Sequence, residues 1–128
     1  MHEQLCLAVV GSREYAYERR VRTLVRKVAR LNASVIILSG GARGVDTWAV
    51  DEAERVGLTA EVLPAEWDKY GRAAGMIRNA QLVKRAGKVM AFWDGVSKGT
   101  RNTMDTASKA GKLLTSVREL LNWLKGVG

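Results

Sequence analysis

The sequence predicts an α/β fold in which a mostly parallel sheet is covered by helices on both faces. Two observations lead there. Short apolar runs alternate along the chain with longer segments of helical period, the pattern that builds such sheets. Glycine-rich or polar stretches then fall directly after the apolar runs, where open parallel sheets bind their ligands.

Leu5 to Val10 forms the first expected strand and ends on Gly11-Ser12-Arg13. A helix from about Tyr17 to Leu31 follows, with Val21, Leu24, Val25, Val28 and Leu31 along one stripe. Arg19, Arg22, Arg26 and Arg30 form a basic face opposite, suited to solvent, to a polyanion such as nucleic acid, or to an oligomer interface. Val35 to Leu38 is the second strand. The helix after it, from about Val45 to Val56, turns Val45, Trp48, Ala49, Ala53 and Val56 to one side, and Gly57 stops it. Thr59 to Leu63 supplies a third strand with Pro64 at its end. A helix from about Ala73 to Arg85 is expected to point Ile77, Ala80 and the Lys84 stem inward. Lys88 to Trp93 makes the fourth strand, a helix spans about Arg101 to Ala110, and Lys112 to Thr115 is a short fifth strand. The last helix starts near Ser116, with Glu119 three residues on as in a capping box, and carries Val117, Leu120, Leu121 and Leu124.

All 128 residues are expected to form one domain, and 47% apolar residues suffice for a real core. No run approaches the roughly 20 apolar residues of a membrane span, and no secretory pattern opens the sequence, so no membrane partner is expected. Cys6, the single cysteine, falls in an apolar run and reads as a core thiol. One cysteine allows no intrachain disulfide, which makes the cytoplasm the expected compartment. A net charge of +8 favours anionic partners.

The richest segment is Ser39-Gly40-Gly41-Ala42-Arg43-Gly44-Val45-Asp46. A strand that feeds a glycine turn and then a helix exposes N–H groups and a positive helix end at one point, which suits phosphate. Arg43 can add a charge-assisted contact. Asp46, in the first helical turn, can cap the helix, read a ligand hydroxyl or orient Arg43. Gly95-Val96-Ser97-Lys98-Gly99-Thr100-Arg101-Asn102 offers a second such place, where Gly99 permits close approach, Thr100 can cap the helix or bind an oxygen, and Lys98 and Arg101 bring charge. Asp94 can accept from a sugar. Gly11, Ser12 and Arg13 make a further donor set, and Arg78 and Asn79 stand near a helix start, outside its apolar stripe. Trp67, Tyr70 and Trp93 can stack on a base or pack their loops.

Neither GxGxxG nor GxxxxGK[ST] occurs, which excludes the ordinary dinucleotide and Walker signatures. No metal site is expected: His2 is the only histidine, and the acids lack ligand spacing. Ser12, Ser39, Ser97 and Cys6 have no histidine to activate them, so no catalytic residue is assigned.

Taken together, Gly11-Ser12-Arg13, Ser39 to Asp46, Pro64-Ala65-Glu66-Trp67, Ala74-Gly75-Met76-Ile77-Arg78-Asn79 and Ala91 to Thr100 resemble the YspA/YpsA-related branch of the SLOG superfamily. That superfamily also holds the DNA-processing protein A (DprA/SMF) fold and the LOG-type phosphoribohydrolases. The resemblance covers nearly the whole chain. It implies a Rossmann-like three-layer sandwich, with a sheet here of about five strands. It implies that Gly40-Gly41 and Gly99-Thr100 are phosphate loops, and that Arg13, Arg78 and Asn79 are polar site positions. It also implies homo-oligomerisation. LOG-type hydrolases carry a glutamate just after the second Gly-Thr pair, whereas this chain has Arg101-Asn102-Thr103. The expected function is therefore binding of a nucleotide or nucleotide-derived phosphorylated ligand, as in a sensor, with no certain cofactor. The alternatives are N-glycosidic hydrolysis of a nucleoside monophosphate and single-stranded DNA binding.

Overall fold

The computed structural model describes residues 4–126. Its sheet consists of β1 (Cys6–Gly11), β2 (Ile36–Ser39), β3 (Thr59–Val62), β4 (Lys88–Phe92) and β5 (Leu113–Leu114). All pairs are parallel, in the order β3-β2-β1-β4-β5. The register sets Leu7 beside Ile37 on one side and beside Lys88 on the other. The helices are α1 (Glu18–Leu31), α2 (Val45–Arg55), α3 (Trp67–Tyr70), α4 (Ala74–Arg85), α5 (Lys98–Lys109) and α6 (Val117–Leu124).

The two-residue period of β1 divides the core. Leu7 and Val9 point to the face covered by α1, α2 and α6, where they meet Val21, Val25, Ala49 and Leu120. Cys6, Ala8 and Val10 point to the face of α4 and α5, against Leu82, Val83 and Ala107. Each fully buried valine or leucine contributes about 1.5–3 kcal/mol, so the central strand anchors both layers. Burial also pushes the Cys6 thiol pKa up, against the lowering influence of Arg85.

Several sequence expectations change. Leu31 is exposed, at the end of the α1 stripe. Two arginines of the α1 basic face are turned inward to α2: Arg22 donates to Asp51 at 2.6 Å and to Glu52 at 3.1 Å, and Arg26 donates to Glu52 at 3.2 Å. Burial disfavours a charged Glu52, yet these hydrogen bonds outweigh it and hold its pKa below the ordinary carboxylate range. Arg22 and Arg26 are thus committed to helix packing, not to a polyanion. On α4, Ala80 and Lys84 are exposed and Ile77 is only half-buried; Ala74, Leu82 and Val83 face the core instead. The stripe is shifted because Arg78 occupies the inner side near the strand ends. Helix α5 starts three residues earlier than expected, at Lys98, because Ser97 caps it by accepting from Thr100 N–H at 3.3 Å. At α6, Ser116 Oγ accepts from Glu119 N–H at 3.1 Å, while Glu119 reaches back to Thr115. No helix among the described residues is long and apolar enough to cross a membrane.

Candidate functional site

Sheet order reverses direction between β1 and β4, and a cleft of about 480 Å³ opens at the carboxyl ends of these strands. This is the ligand position expected of an open parallel sheet. Gly11, Arg13 and Glu14 reach it from the β1 exit, Gly40 and Ala42 from the β2 exit, and Asp94, Val96 and Ser97 from the β4 exit. Helix α5 brings Gly99, Thr100 and Thr103, α4 brings Arg78 and Asn79, and α2 brings Asp46.

Arg78 and Asp46 form the inner wall. The half-buried Arg78 donates through Nη1 to the Gly40 carbonyl and through Nε to Asn79 Oδ1 at 3.0 Å. Burial pulls its pKa below the ordinary guanidinium value; Asp46 opposes this and Arg13 reinforces it. Asp46 is 5% exposed. Its Oδ2 accepts from Ala42 N–H at 3.2 Å, whereas its buried Oδ1 has no hydrogen-bond partner. Burial pushes the Asp46 carboxyl up to about 6, despite the Ala42 amide and the nearby Arg78. Asn79 extends the wall to α5, donating to Asn102 Oδ1 at 3.3 Å and to the Gly99 carbonyl at 3.4 Å.

The other wall is built on hydroxyl groups. Ser12 Oγ accepts from Asp94 N–H at 3.0 Å and lies 3.3 Å from Thr100 Oγ1, which donates to Ser97 Oγ at 3.1 Å. Asp94 Oδ1 accepts from the N–H groups of Val96 and Ser97, at 2.9 and 2.8 Å. These two amides hold the Asp94 pKa below the usual carboxylate range. Trp93 is a loop brace, its Nε1 donating to the Ser97 carbonyl at 2.9 Å.

The structure therefore brings together Gly11, Arg13, Gly40, Asp46, Arg78, Asn79, Asp94, Ser97, Gly99 and Thr100 of the expected set. Ser12 and Ser39 stand behind the walls; Ser39 Oγ accepts from Gly41 N–H at 3.1 Å and donates to the Asp46 carbonyl at 3.2 Å. Arg43 does not join the cleft. It is exposed and pairs with Glu14 at 2.5 Å, and Asp46 lies beside Arg78 instead. Trp67 is also outside, 56% exposed on α3, and Lys98 and Arg101 are exposed on α5 and do not line the cleft.

In the expected phosphate turn, the space where side chains would stand is filled by the protein itself. A Cβ on Gly40 would lie 2.8 Å from the Arg78 guanidinium and 2.9 Å from Asp46 Oδ2. On Gly41, at φ +78, it would meet Val62 at 2.8 Å. On Gly44, at φ +79, it would meet the Arg13 carbonyl at 2.8 Å. At Gly99 it would meet nothing within 4 Å. Glu14, Ala42, Val96 and Thr103 are lining residues that the sequence reading did not single out. Thr103 was within reach, being one helical turn beyond Thr100 on the same face. Among the described residues no three His, Cys, Asp or Glu side chains gather as a metal site. His2 lies outside the described residues.

The family model for DNA recombination-mediator protein A matches residues 1–91, most of the chain. The chain belongs to this family. Gene 61 protein of Mycobacterium phage D29 is 33% identical over 111 residues, covering 80% of this chain and 88% of the phage protein. The solved DNA processing protein A of Streptococcus pneumoniae aligns with a TM-score of 0.68 at 21% identity, covering 93% of this chain. This chain spans about half of that one, 53%. DNA processing protein A from Helicobacter pylori, described for its single-stranded DNA binding mode, aligns at 0.64 and 20% identity, over 97% of this chain and 74% of its own. A molybdenum cofactor binding protein from Rippkaea orientalis aligns at 0.71 and 19% identity, over 99% of this chain and 88% of its own. These likenesses establish a Rossmann-like fold shared across the DNA recombination-mediator family and beyond it.

Proposed function

We propose that the cleft binds a nucleotide or nucleotide-derived phosphorylated ligand, and that the protein acts as a sensor of it. The observation that carries this reading is the meeting, at the switch in strand order, of two cationic side chains with an unobstructed helix start. Arg13 and Arg78 bring charge, while Gly99 opens the first turn of α5 toward the same space with no Cβ of its own in the way, and Thr100 lines that space beside it. Asn79 and Asp94 supply polar groups for sugar or base. Membership of the YspA/YpsA-related branch, a cytoplasmic setting and self-association belong to the same proposal. Hydrolysis is less favoured: Asp94 already accepts two amide protons, and just after Gly99-Thr100 this chain carries Arg101-Asn102-Thr103 where LOG-type hydrolases have their glutamate.

Family membership supports a second reading, single-stranded DNA binding, which the net charge of +8 also suits. Salt separates the two. Phosphate-backbone binding weakens steeply as counterions are added, whereas a pocket ligand keeps a defined stoichiometry with a shallow salt slope. The test is calorimetry of the purified protein against nucleoside mono- and diphosphates, ADP-ribose and a thymidine oligonucleotide, with Arg78→Ala alongside. Saturable one-to-one nucleotide binding, weakened at least about tenfold in Arg78→Ala, is expected. Oligonucleotide binding alone, with a steep salt slope, would replace the pocket reading by the DNA one.

A further inference from the structure

A second and larger concavity, about 780 Å³, lies on the α1–α6 face of the sheet and shares no lining residue with the cleft. Helix α6 has only 8 residues, so the sheet between it and α1 is incompletely covered. Leu24, Met90, Phe92 and Val117 make an apolar floor, with Val117 43% exposed. The rim is cationic. Arg19, Arg20 and Lys27 line it, and none of them forms an ion pair among the described residues. The only acid in the lining, Glu18, is already bound by Arg22 at 2.8 Å. Tyr17, the N-cap residue before α1, makes no side-chain cap, leaving the positive end of the helix open at one side of the groove.

We propose that this groove docks an acidic amphipathic segment of a partner protein. Apolar residues at helical spacing would cover the floor, and flanking carboxylates would meet Arg19, Arg20 and Lys27. Charge selects this occupant over the others. A second copy would bring a like-charged rim and a net charge of +8 to the same surface. Nucleic acid would set phosphates over an apolar floor, and the Tyr17 ring on which a base could stack is covered by the Arg20 guanidinium, 4.2 Å from its centroid.

The test selects from a displayed library of random peptides, each about 16 residues long, enough for some four helical turns. Affinities of the selected peptides are then compared between wild type and the double variant Arg20→Glu/Lys27→Glu. Both positions are exposed, so the variant keeps its fold, which circular dichroism checks. Selected peptides should be rich in Asp and Glu around apolar residues at helical spacing. They should lose at least about tenfold in affinity for the double variant and weaken as salt rises. No enriched peptide, or enriched peptides that bind the double variant equally, would overturn the proposal. So would a dimer in sedimentation, or thymidine oligonucleotide binding, that the same double variant abolishes, since each assigns the groove to another occupant.

Discussion

The two glycine-bearing loops of the cleft look alike in sequence and differ in what fills the space their missing side chains leave. In the loop after β2, Gly40, Gly41 and Gly44 make room for Arg78, Val62 and the Arg13 backbone. After β4, Gly95 in the loop and Gly99 in the first turn of α5 face open space. The first set of glycines lets the protein pack against itself, and the second leaves a surface free. Glycine richness alone does not separate a binding turn from a packing turn; the neighbouring atoms do.

The sharpest way to break this comparison is Gly44→Val. A branched side chain at φ +79, driven into the Arg13 carbonyl, should cost about 4 kcal/mol, read by urea denaturation. Stability unchanged within error would show that the β2 loop is not packed as described.

Asp46 gives an effect of similar size that depends on pH. Its carboxyl is raised from 3.8 to about 6 on folding, so the folded state holds the proton more tightly than the unfolded chain. Stability from this group is fully present below the unfolded value and is lost as pH rises through about 6, amounting to about 3 kcal/mol. Asp46→Asn should flatten the stability profile between about pH 4 and pH 6 relative to wild type. Asp94 and Glu52, whose pKa values are lowered, act in the opposite direction and only at more acid pH. A wild-type profile parallel to that of Asp46→Asn would mean that Asp46 titrates normally.

Gly99→Ala sharpens the contrast from the other side. It should raise stability by about 0.5 kcal/mol, because glycine is a poor helix residue and no atom obstructs the methyl group. The same change should lower affinity for a phosphorylated ligand by about tenfold, since the methyl enters the approach to α5. The smallest effect belongs to Arg43→Ala. Its pair with Glu14 is exposed on both sides, so stability should move by less than about 1 kcal/mol and nucleotide affinity should not move. A large loss of affinity would return Arg43 to the site.

Strand and helix order was readable because apolar runs and helical stripes are local properties of the chain, and the parallel sheet follows from their alternation. What escaped depended on distant partners. Arg22 and Arg26 read as a free basic face because Glu52, their buried acceptor, lies 26 to 30 residues away. Arg78 lay off the apolar stripe, but nothing nearby in sequence says that it reaches the Gly40 carbonyl. The early start of α5 was hidden by Gly99, whose weak helix propensity made Lys98 to Thr100 resemble a loop. The cleft could be located from strand ends; its inner wall could not.

The hydroxyl wall of the cleft has a polarity of its own. Ser12 Oγ receives the Asp94 amide proton and Thr100 Oγ1 gives its proton to Ser97, so Ser12 is the donor in the contact between Ser12 and Thr100. Protons therefore point in one direction, from β1 through α5 to Ser97. Ser97 Oγ takes both the amide and hydroxyl protons of Thr100, and its own proton is the one left to spend on the cleft. An acceptor arriving at Ser97 Oγ would take this remaining proton and strengthen the hydrogen bonds that Ser97 accepts from Thr100.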